Sequence, residues 1–288
     1  MTTQLTYDDT SRTIDLAGTP MHYHVAGEGP PLLLLHGSGP GVSGWANFRD
    51  TLPVMADHFT TYVPDLPGFG KSGLPAGGHP LIGADRAVVQ LIDSLGLDSV
   101  AIVGNSMGGG IGSTVAANHP DRVSRLVTLG GVGTNIFSPS PPEGIKLLVE
   151  FVENPTRERM VAWLQSMVYD ESFVTDELID LRMSTATEPD VLAASRMMYS
   201  RAGLAMIRQS ARATDRPAPW AHLPKIQCPT LITWGRDDRV TPMDWALLPM
   251  RLIPKCELHV FYDCGHWAMI ERKAEFDSVV LSFLNRER

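Results

Sequence analysis

Ser106 lies in the segment Gly104-Asn105-Ser106-Met107-Gly108, which has the G-x-S-x-G spacing of a serine nucleophile. Glycines on both sides of the serine permit a sharp turn in which larger residues would clash with a neighbouring strand and helix. An apolar run (residues 99–103) precedes this segment, and small residues that suit a helix (111–118) follow it. A strand–turn–helix context lifts such a serine above the edge of a sheet, so the pattern predicts nucleophilic catalysis by Ser106.

A serine hydroxyl is a weak nucleophile unless an imidazole takes its proton and a carboxylate orients that imidazole. His266 follows the last apolar, β-rich run of the chain (257–261), and Asp237 and Asp238 follow the preceding one (230–234). Because the carboxyl ends of parallel strands share one edge of a sheet, we expect the histidine and one aspartate to meet the nucleophile there. Position alone leaves the choice between the two aspartates open.

The strands that must position these residues are predicted from short apolar and β-branched runs bounded by turn residues. The runs are Met21 to Val25, Pro31 to Leu35, Thr60 to Pro64, Ser99 to Val103, Arg125 to Leu129, Thr230 to Trp234 and Glu257 to Phe261. Helical patterns alternate with them, as in Ala84 to Leu95, where apolar residues form one stripe. This alternation predicts an α/β protein with a mostly parallel sheet and helices on both faces.

The alternation stops between about Gly133 and Gln227. This interval opens with a Pro/Ser loop (138–142) and continues through helical patterns without a clear buried strand. We predict a helical cap over residues 133–227, inserted into a core formed by residues 1–132 and 228–288. The junction between a core and a cap is a favoured place for a ligand pocket.

The composition excludes several classes of protein. The 288 residues are 43% hydrophobic and 19% charged, which is typical of a globular protein, and the formal net charge of −8 argues against a nucleic-acid surface. Three cysteines without Cys-x-x-Cys spacing argue against a disulfide framework or a zinc site. No signal-peptide pattern and no apolar run of about 20 residues is present. We therefore expect a cytoplasmic protein with no nucleic-acid or membrane partner, no metal and no cofactor.

The turn around Ser106 and the chain order Ser–Asp–His resemble the α/β-hydrolase fold. In that fold the orienting aspartate stands where this chain has Asp238, three residues after Gly235 and four before Pro242. The same resemblance implies an oxyanion hole made by the backbone N–H groups of Ser38 and Met107. The first follows the first buried strand, and the second follows the nucleophile.

Three segments make the resemblance more specific. His36-Gly37-Ser38-Gly39-Pro40-Gly41, Gly104-Asn105-Ser106-Met107-Gly108-Gly109 and Cys264-Gly265-His266-Trp267 are similar to segments of the meta-cleavage-product hydrolases. These are bacterial C–C bond hydrolases of aromatic and steroid-ring degradation. The resemblance covers about residues 21–284, and in the predicted cap it includes Met167-Val168-Tyr169-Asp170.

The family resemblance implies an anionic small-molecule substrate, a 2-hydroxy-6-oxo-hexa-2,4-dienoate, whose carboxylate end is held by Arg182, Asn47, Asn105 and Trp267. Arg182 lies among apolar residues of a predicted helix, Thr175 to Thr185, where a guanidinium either binds an anion or extends its head to water. The two asparagines also suit turns, and the tryptophan also suits a core. These alternatives stay open at the level of the sequence.

The implied reaction begins with conversion of the dienol to its keto tautomer, followed by attack on the far carbonyl in the oxyanion hole. An ordinary carboxylesterase would use the same three catalytic residues without the arginine. A low-turnover ligand-binding receptor of the same fold is the alternative of a different class. The resemblance also implies a homodimer or a larger homo-oligomer, and the group on the far ketone stays undefined.

Overall fold

A computed structural model describes residues 5–74, 78–211 and 218–286 of the chain. Its centre is an eight-stranded sheet with the order β1-β2-β4-β3-β5-β6-β7-β8. The strands are β1 (Ser11–Leu16), β2 (Thr19–Ala26), β3 (Pro31–Leu35), β4 (Thr60–Pro64), β5 (Val100–Asn105), β6 (Val123–Leu129), β7 (Thr230–Gly235) and β8 (Cys256–Phe261).

The helices of the described residues are of two kinds. The α-helices are α1 (Tyr7–Thr10), α2 (Gly44–Phe48), α3 (Leu52–Ala56), α4 (Ala84–Ser94), α5 (Met107–Asn118), α6 (Glu143–Glu153), α7 (Arg157–Met167), α8 (Asp176–Ala186), α9 (Pro189–Tyr199), α10 (Arg201–Ala211), α11 (Leu247–Leu252), α12 (Ala268–Glu271) and α13 (Lys273–Leu284). Short 3₁₀ helices span Glu171–Phe173, Leu223–Lys225 and Met243–Ala246. No helix within the described ranges is long and apolar enough to cross a bilayer.

The sheet is parallel from β4 through β8, and β1 and β2 join it as antiparallel strands. The predicted mostly parallel sheet is confirmed. Strand β3 shows how its two faces are used, since Leu32 and Leu34 pack in one apolar cluster while Leu33 and Leu35 pack in another. Side chains alternate across a strand, so a strand buried on both faces reads as the continuous apolar run seen in the sequence.

Helices cover both faces of this sheet. Helix α4 contributes Val88, Leu91 and Ile92 to one apolar cluster, and α13 contributes Phe276 and Val280 to the other. This arrangement leaves the carboxyl ends of β3 and β5–β8 at one edge of the sheet, where the loops that follow them lie close together.

Strand β1 is absent from the sequence prediction, although all seven predicted strands are present. Its burial is poor, since only Leu16 is fully buried, and its remaining residues are polar or partly exposed. The strand forms because it pairs with β2, in a register that joins Ser11 to His24 and Leu16 to Thr19. Pairing with a neighbouring strand, rather than local hydrophobicity, determines its conformation.

Helices α6–α10, which we call the cap helices, all fall between β6 and β7. No strand occurs in residues 130–211 or 218–229. The division into a core and a cap, with boundaries after residues 132 and 227, stays a prediction. Within α8 the buried residues are Ile179, Arg182 and Ala186, while Leu181, one of the apolar neighbours of Arg182 in the sequence, is half exposed. Adjacent residues of a helix lie about 100° apart, so Leu181 cannot share the face of Arg182.

Candidate active site

Ser106 occupies a strained turn between β5 and α5. Its φ of 50° and ψ of −116° lie outside the regions that most L-residues adopt, and its backbone N–H is held by the carbonyl of Leu129 at 2.7 Å. A Cβ atom at Gly108 would stand 2.1 Å from the backbone oxygen of Leu35, so only glycine allows α5 to approach β3 this closely. The turn places the serine hydroxyl at the N-terminus of α5, where the helix dipole favours negative charge.

His266 and Asp238 form a buried pair at the ends of β8 and β7. The imidazole Nδ1 and the carboxylate Oδ2 are 2.7 Å apart, and both side chains are almost completely buried. The other carboxylate oxygen, Oδ1, accepts the backbone N–H groups of Val240 and Thr241, each at 2.8 Å. With Nδ1 donating to the carboxylate, the Nε2 lone pair of the imidazole remains available to a reacting group.

The neighbouring carboxylate, Asp237, has a different environment. It is partly exposed and forms a salt bridge with Arg236 at 3.2 Å, and its Oδ2 lies 3.4 Å from the backbone N–H of Cys264. No hydrogen bond joins it to His266 in the described chain. The structure therefore places Asp238, not Asp237, against the imidazole.

Ser106 and His266 line the same cavity, but the hydrogen bonds of the described residues do not include one between the serine hydroxyl and the imidazole. Catalytic hydrogen bonds of this kind are often long without substrate and shorten in the substrate complex. The hydroxyl of Thr241 contacts both members of the His266–Asp238 pair, at 2.9 Å from Asp238 Oδ2 and 3.2 Å from His266 Nδ1.

The loop after β3 is held by the side chain of its own His36 and by that of Asn47. His36 Nε2 accepts the backbone N–H of Leu66 at 2.9 Å, so the ring is neutral with its proton on Nδ1, which faces the carbonyl of Gly37 at 2.5 Å. Burial lowers the pKa of His36 and keeps it in this form. Asn47 Oδ1 accepts the backbone N–H of Gly37 at 2.9 Å. These contacts fix the path of the backbone into Ser38.

The backbone N–H groups of Ser38 and Met107 have no acceptor among the described residues. Ser38 lines the cavity, and Met107 directly follows Ser106 at the first position of α5. Two unused donors on either side of Ser106 would suit an oxyanion that develops there. The hydroxyl of Ser38 is hydrogen-bonded to the hydroxyl of Tyr199, which ties this loop to α9 of the cap helices.

Arg182 is buried, yet no acidic side chain in the described chain forms a salt bridge with it. Its nearest acceptor is the carbonyl of Pro40, at the long distance of 3.5 Å from Nη1, and its guanidinium lies 5.7 Å from the ring centroid of Trp267. Burial, together with the like charge of Arg49, lowers the pKa of Arg182 to about 10. The side chain is still a cation at neutral pH, and none of the described acidic side chains pairs with it.

A cavity of about 70 Å³ lies between the core and the cap helices. Its wall includes seven of the nine residues that the sequence singles out: Ser38, Asn47, Asn105, Ser106, Arg182, His266 and Trp267. Of the remaining two, Asp238 reaches the cavity through His266 and Met107 through its backbone N–H. Within the described residues, no group of three or more His, Cys, Asp or Glu side chains is arranged to hold a metal ion.

Three residues that contact the predicted site residues or their loops were not identified from the sequence. Thr241 follows Asp238 by three residues, Tyr199 ends α9, and Glu271 follows His266 by five residues. The first had a local signal, because a hydroxyl shortly after an aspartate is typical of a turn that binds the carboxylate. Tyr199 reaches Ser38 across a long separation in sequence, and Glu271 joins the nearby Gly265 to the distant Tyr169; neither had a local signal.

The fold and the site together define an α/β-hydrolase. A protein-family model described as "alpha/beta hydrolase fold" matches residues 30–273, so the chain belongs to that family.

Within it, a solved meta-cleavage product hydrolase from Pseudomonas fluorescens superposes with a TM-score of 0.85 at 33% identity, covering 95% of this chain and 97% of that one. The 2-hydroxy-6-oxo-6-phenylhexa-2,4-dienoate hydrolase of Comamonas testosteroni is 36% identical over 99% of both chains. A 2-hydroxy-6-oxononadienedioate/2-hydroxy-6-oxononatrienedioate hydrolase of Burkholderia vietnamiensis is 39% identical over 92% of this chain and 91% of its own. The chain is a member of the meta-cleavage product hydrolases, and the resemblance seen in the sequence is confirmed.

Proposed function

We propose that this chain hydrolyses a C–C bond in 2-hydroxy-6-oxo-hexa-2,4-dienoates, the meta-cleavage products of aromatic or steroid ring degradation. Ser106 is the nucleophile, His266 the general base, and Asp238 orients the imidazole. Arg182 carries the proposal, because a buried cation that pairs with no acidic side chain of the described residues lies in the same cavity wall as Ser106 and His266. An unpaired buried charge is costly, so it is expected where a ligand supplies the partner. An esterase acting on neutral substrates has no need of it.

The dienoate carboxylate binds to Arg182, whose planar guanidinium suits a carboxylate. The Asn47 side-chain oxygen accepts a bond from the loop, and its NH₂ group has no acceptor among the described residues and can face the substrate. Within the same residues Asn105 donates one long bond, 3.4 Å to the carbonyl of Leu129. Pockets for small molecules usually have about 300–1,000 Å³. A cavity of about 70 Å³ is smaller, so we expect the cap helices to separate from the core when substrate enters.

The reaction needs an electron sink before the C–C bond can break. His266 and Ser106 assist transfer of the 2-hydroxyl proton to C5, which converts the dienol to the keto form. The C6 carbonyl oxygen then accepts hydrogen bonds from the N–H groups of Ser38 and Met107, and the nucleophile attacks the C6 carbon. The C5–C6 electron pair moves into the 2-oxo system as a dienol, and water supplies the hydroxyl of the acid and a proton. The products are a 2-hydroxypenta-2,4-dienoate and a carboxylic acid.

Much of the cavity wall is apolar, which favours an apolar group on C6. Its apolar side chains include Ile145, Leu148, Trp163, Met167 and Val240. Arg182 is the only lysine or arginine in the wall of this cavity as described, so a second carboxylate on the substrate would have no cation to bind. We therefore propose an alkyl or aryl C6 substituent, as in the phenyl-substituted dienoate of one relative, over the dioic acids of another.

The test measures kcat/KM for three substrates: a 6-phenyl dienoate, a nonadienedioate and a neutral nitrophenyl ester. The wild type is expected to prefer the phenyl dienoate to both others. Arg182→Gln should lower kcat/KM for the dienoates by roughly 30- to 1,000-fold, because it removes a charge-assisted pair of about 2–4 kcal/mol. For the ester, kcat/KM should stay within about threefold of the wild-type value. Arg49→Gln is the matched control, because Arg49 is an exposed cation near Arg182.

Three outcomes would contradict the proposal. A wild-type preference for the nitrophenyl ester would make the chain an esterase, and no turnover of any substrate would favour a receptor. Equal losses on dienoate and ester in Arg182→Gln would show a structural arginine. A preference for the nonadienedioate would contradict only the apolar C6 group.

We also propose a cytoplasmic location and a homodimer or larger homo-oligomer. Strand β8 supports self-association, because it is an edge strand of the sheet and Val260 on it is partly exposed. Tyr262, directly after the strand, is also exposed. An edge strand with exposed apolar side chains is a suitable surface for a second copy of the chain.

A further inference from the structure

The loop that carries His266 is in direct backbone contact with the end of α7. The backbone N–H of His266 donates to the carbonyl of Met167 at 2.7 Å. A Cβ atom on Gly265 would stand 2.7 Å from the same carbonyl oxygen, so the two backbones approach more closely than any other residue would permit. Since Met167 also lines the cavity, the position of the imidazole and one wall of the cavity are coupled here.

Glu271 joins these two segments through a single carboxylate. Its Oε1 accepts the backbone N–H of Gly265 at 2.8 Å. Its Oε2 accepts the backbone N–H of Tyr169 at 2.6 Å and faces that of Asp170 at 3.4 Å. The two oxygens therefore hold the peptide directly before His266 and the chain that leaves α7.

No cation of the described chain forms a salt bridge with Glu271. Burial raises the pKa of the Glu271 carboxyl, and the nearby charge of Asp238 acts in the same direction, whereas the backbone N–H donors oppose both. The adjacent Arg272 binds Glu275 and the carbonyl of Tyr262 instead. The Cys264 thiol also lies 4.0 Å from Glu271 Oε1. A carboxylate partly withdrawn from water and bonded mainly by backbone donors fixes the geometry of those donors.

We propose that Glu271 is a positioning residue for His266. It ties the His266 loop to the end of α7, so that the imidazole keeps Nδ1 on Asp238 and presents Nε2 to Ser106 while the cap helices move. This inference rests on the proposed function, in which His266 is the general base. Glu271 is not part of the cavity wall, so its effect is expected on turnover of every substrate rather than on binding of one.

The experiment compares Glu271→Gln with Glu275→Gln, which removes the same charge four residues later, from a partly exposed carboxylate in α13 that pairs with Arg272. In Glu271→Gln the amide NH₂ would face a backbone N–H, so one donor loses its acceptor. We expect kcat to fall by about 10- to 100-fold for both the dienoate and the nitrophenyl ester, with KM changed by less than about threefold. Glu275→Gln should keep wild-type kcat. Proton NMR of the imidazole Nδ1–H, assigned with His266→Ala, should show a displaced resonance only in Glu271→Gln.

Wild-type kcat in Glu271→Gln would overturn the inference. So would a fall in kcat that follows a lower midpoint of thermal unfolding while the Nδ1–H resonance stays unchanged, because that result shows a purely structural glutamate. Failure of the proposed function is distinguishable: it appears as activity retained in Ser106→Ala, or as equal substrate losses in Arg182→Gln. Neither result depends on Glu271.

Discussion

Asp238 uses its two carboxylate oxygens for different purposes. Oδ1 is occupied by two backbone N–H groups of the turn that follows β7, and Oδ2 faces His266 Nδ1. The turn therefore holds the carboxylate rigidly, and the carboxylate in turn holds the imidazole. A carboxylate held in this way sets the tautomer of the base and stabilises the imidazolium that forms during attack.

Asp238→Asn is expected to lower kcat by about 10³- to 10⁴-fold, because the amide either loses the bond to Nδ1 or forces the wrong tautomer. Asp237→Asn should stay within about threefold of the wild type, since Asp237 contacts a surface arginine and a long backbone donor. Steady-state kinetics on the dienoate measure both variants. The opposite ranking would show that the base is oriented by the other aspartate.

At the scale of elements, the turn that holds Ser106 depends on how closely α5 packs against β3. The chain continues from β5 through Ser106 into α5, and the first turn of the helix lies against the carbonyl of Leu35. Both β3 and β5 are central strands with a neighbouring strand on each side, so neither can shift to make room for a side chain between the sheet and the helix. The active serine is thus positioned by an inter-element contact that only backbone atoms make.

Gly108→Ala is expected to lower the free energy of unfolding by more than about 3 kcal/mol, because its Cβ would stand 2.1 Å from a carbonyl oxygen that cannot move. Gly110→Ala is the matched control in the same helix. Its Cβ would meet only the carbonyl of Gly131 at 3.3 Å, and alanine favours the helix, so a change of about 1 kcal/mol or less is expected. Denaturant unfolding measures both. Similar values for the two variants would contradict this account of the turn.

At the scale of the whole molecule, the chain contains a second Ser–His–Asp array that lacks the surroundings of the first. Ser11 Oγ lies 2.8 Å from His22 Nε2, and His22 Nδ1 lies 2.8 Å from Asp65 Oδ2. However, Ser11 has an extended backbone at the start of the edge strand β1, and its N–H donates to the carbonyl of Tyr7. It has neither a strained turn nor a free N–H for an oxyanion. Asp65 instead supports the fold, since it accepts the backbone N–H of Gly44 at 2.7 Å.

A fluorophosphonate probe is therefore expected to label Ser106 and not Ser11. Peptide mass spectrometry of the labelled protein identifies the site directly. Ser106→Ala and His266→Ala should each abolish labelling and reduce turnover by several orders of magnitude, whereas Ser11→Ala should change neither. Label found on Ser11 in the Ser106→Ala variant would show that the hydrogen-bonded array is enough to activate a serine without an oxyanion hole.

The sequence by itself determined the features whose signals are local. Buried parallel strands appear as continuous apolar runs, and the glycines around Ser106 mark a turn that other residues cannot form. The order of Ser106, Asp238 and His266 follows from the positions of strand ends, and the family follows from three short segments. The fold class and the enzyme family were therefore accessible before any coordinates.

Only the tertiary structure decided how distant segments satisfy one another. It buried Arg182 without a salt bridge to any described acidic side chain, and formed β1 by pairing rather than by hydrophobicity. Tyr199 reaches Ser38 across 161 positions of the chain, and Glu271 reaches Tyr169 across 102. Burial and hydrogen bonding at such separations arise when the chain folds back on itself, and no local pattern of residue types encodes them.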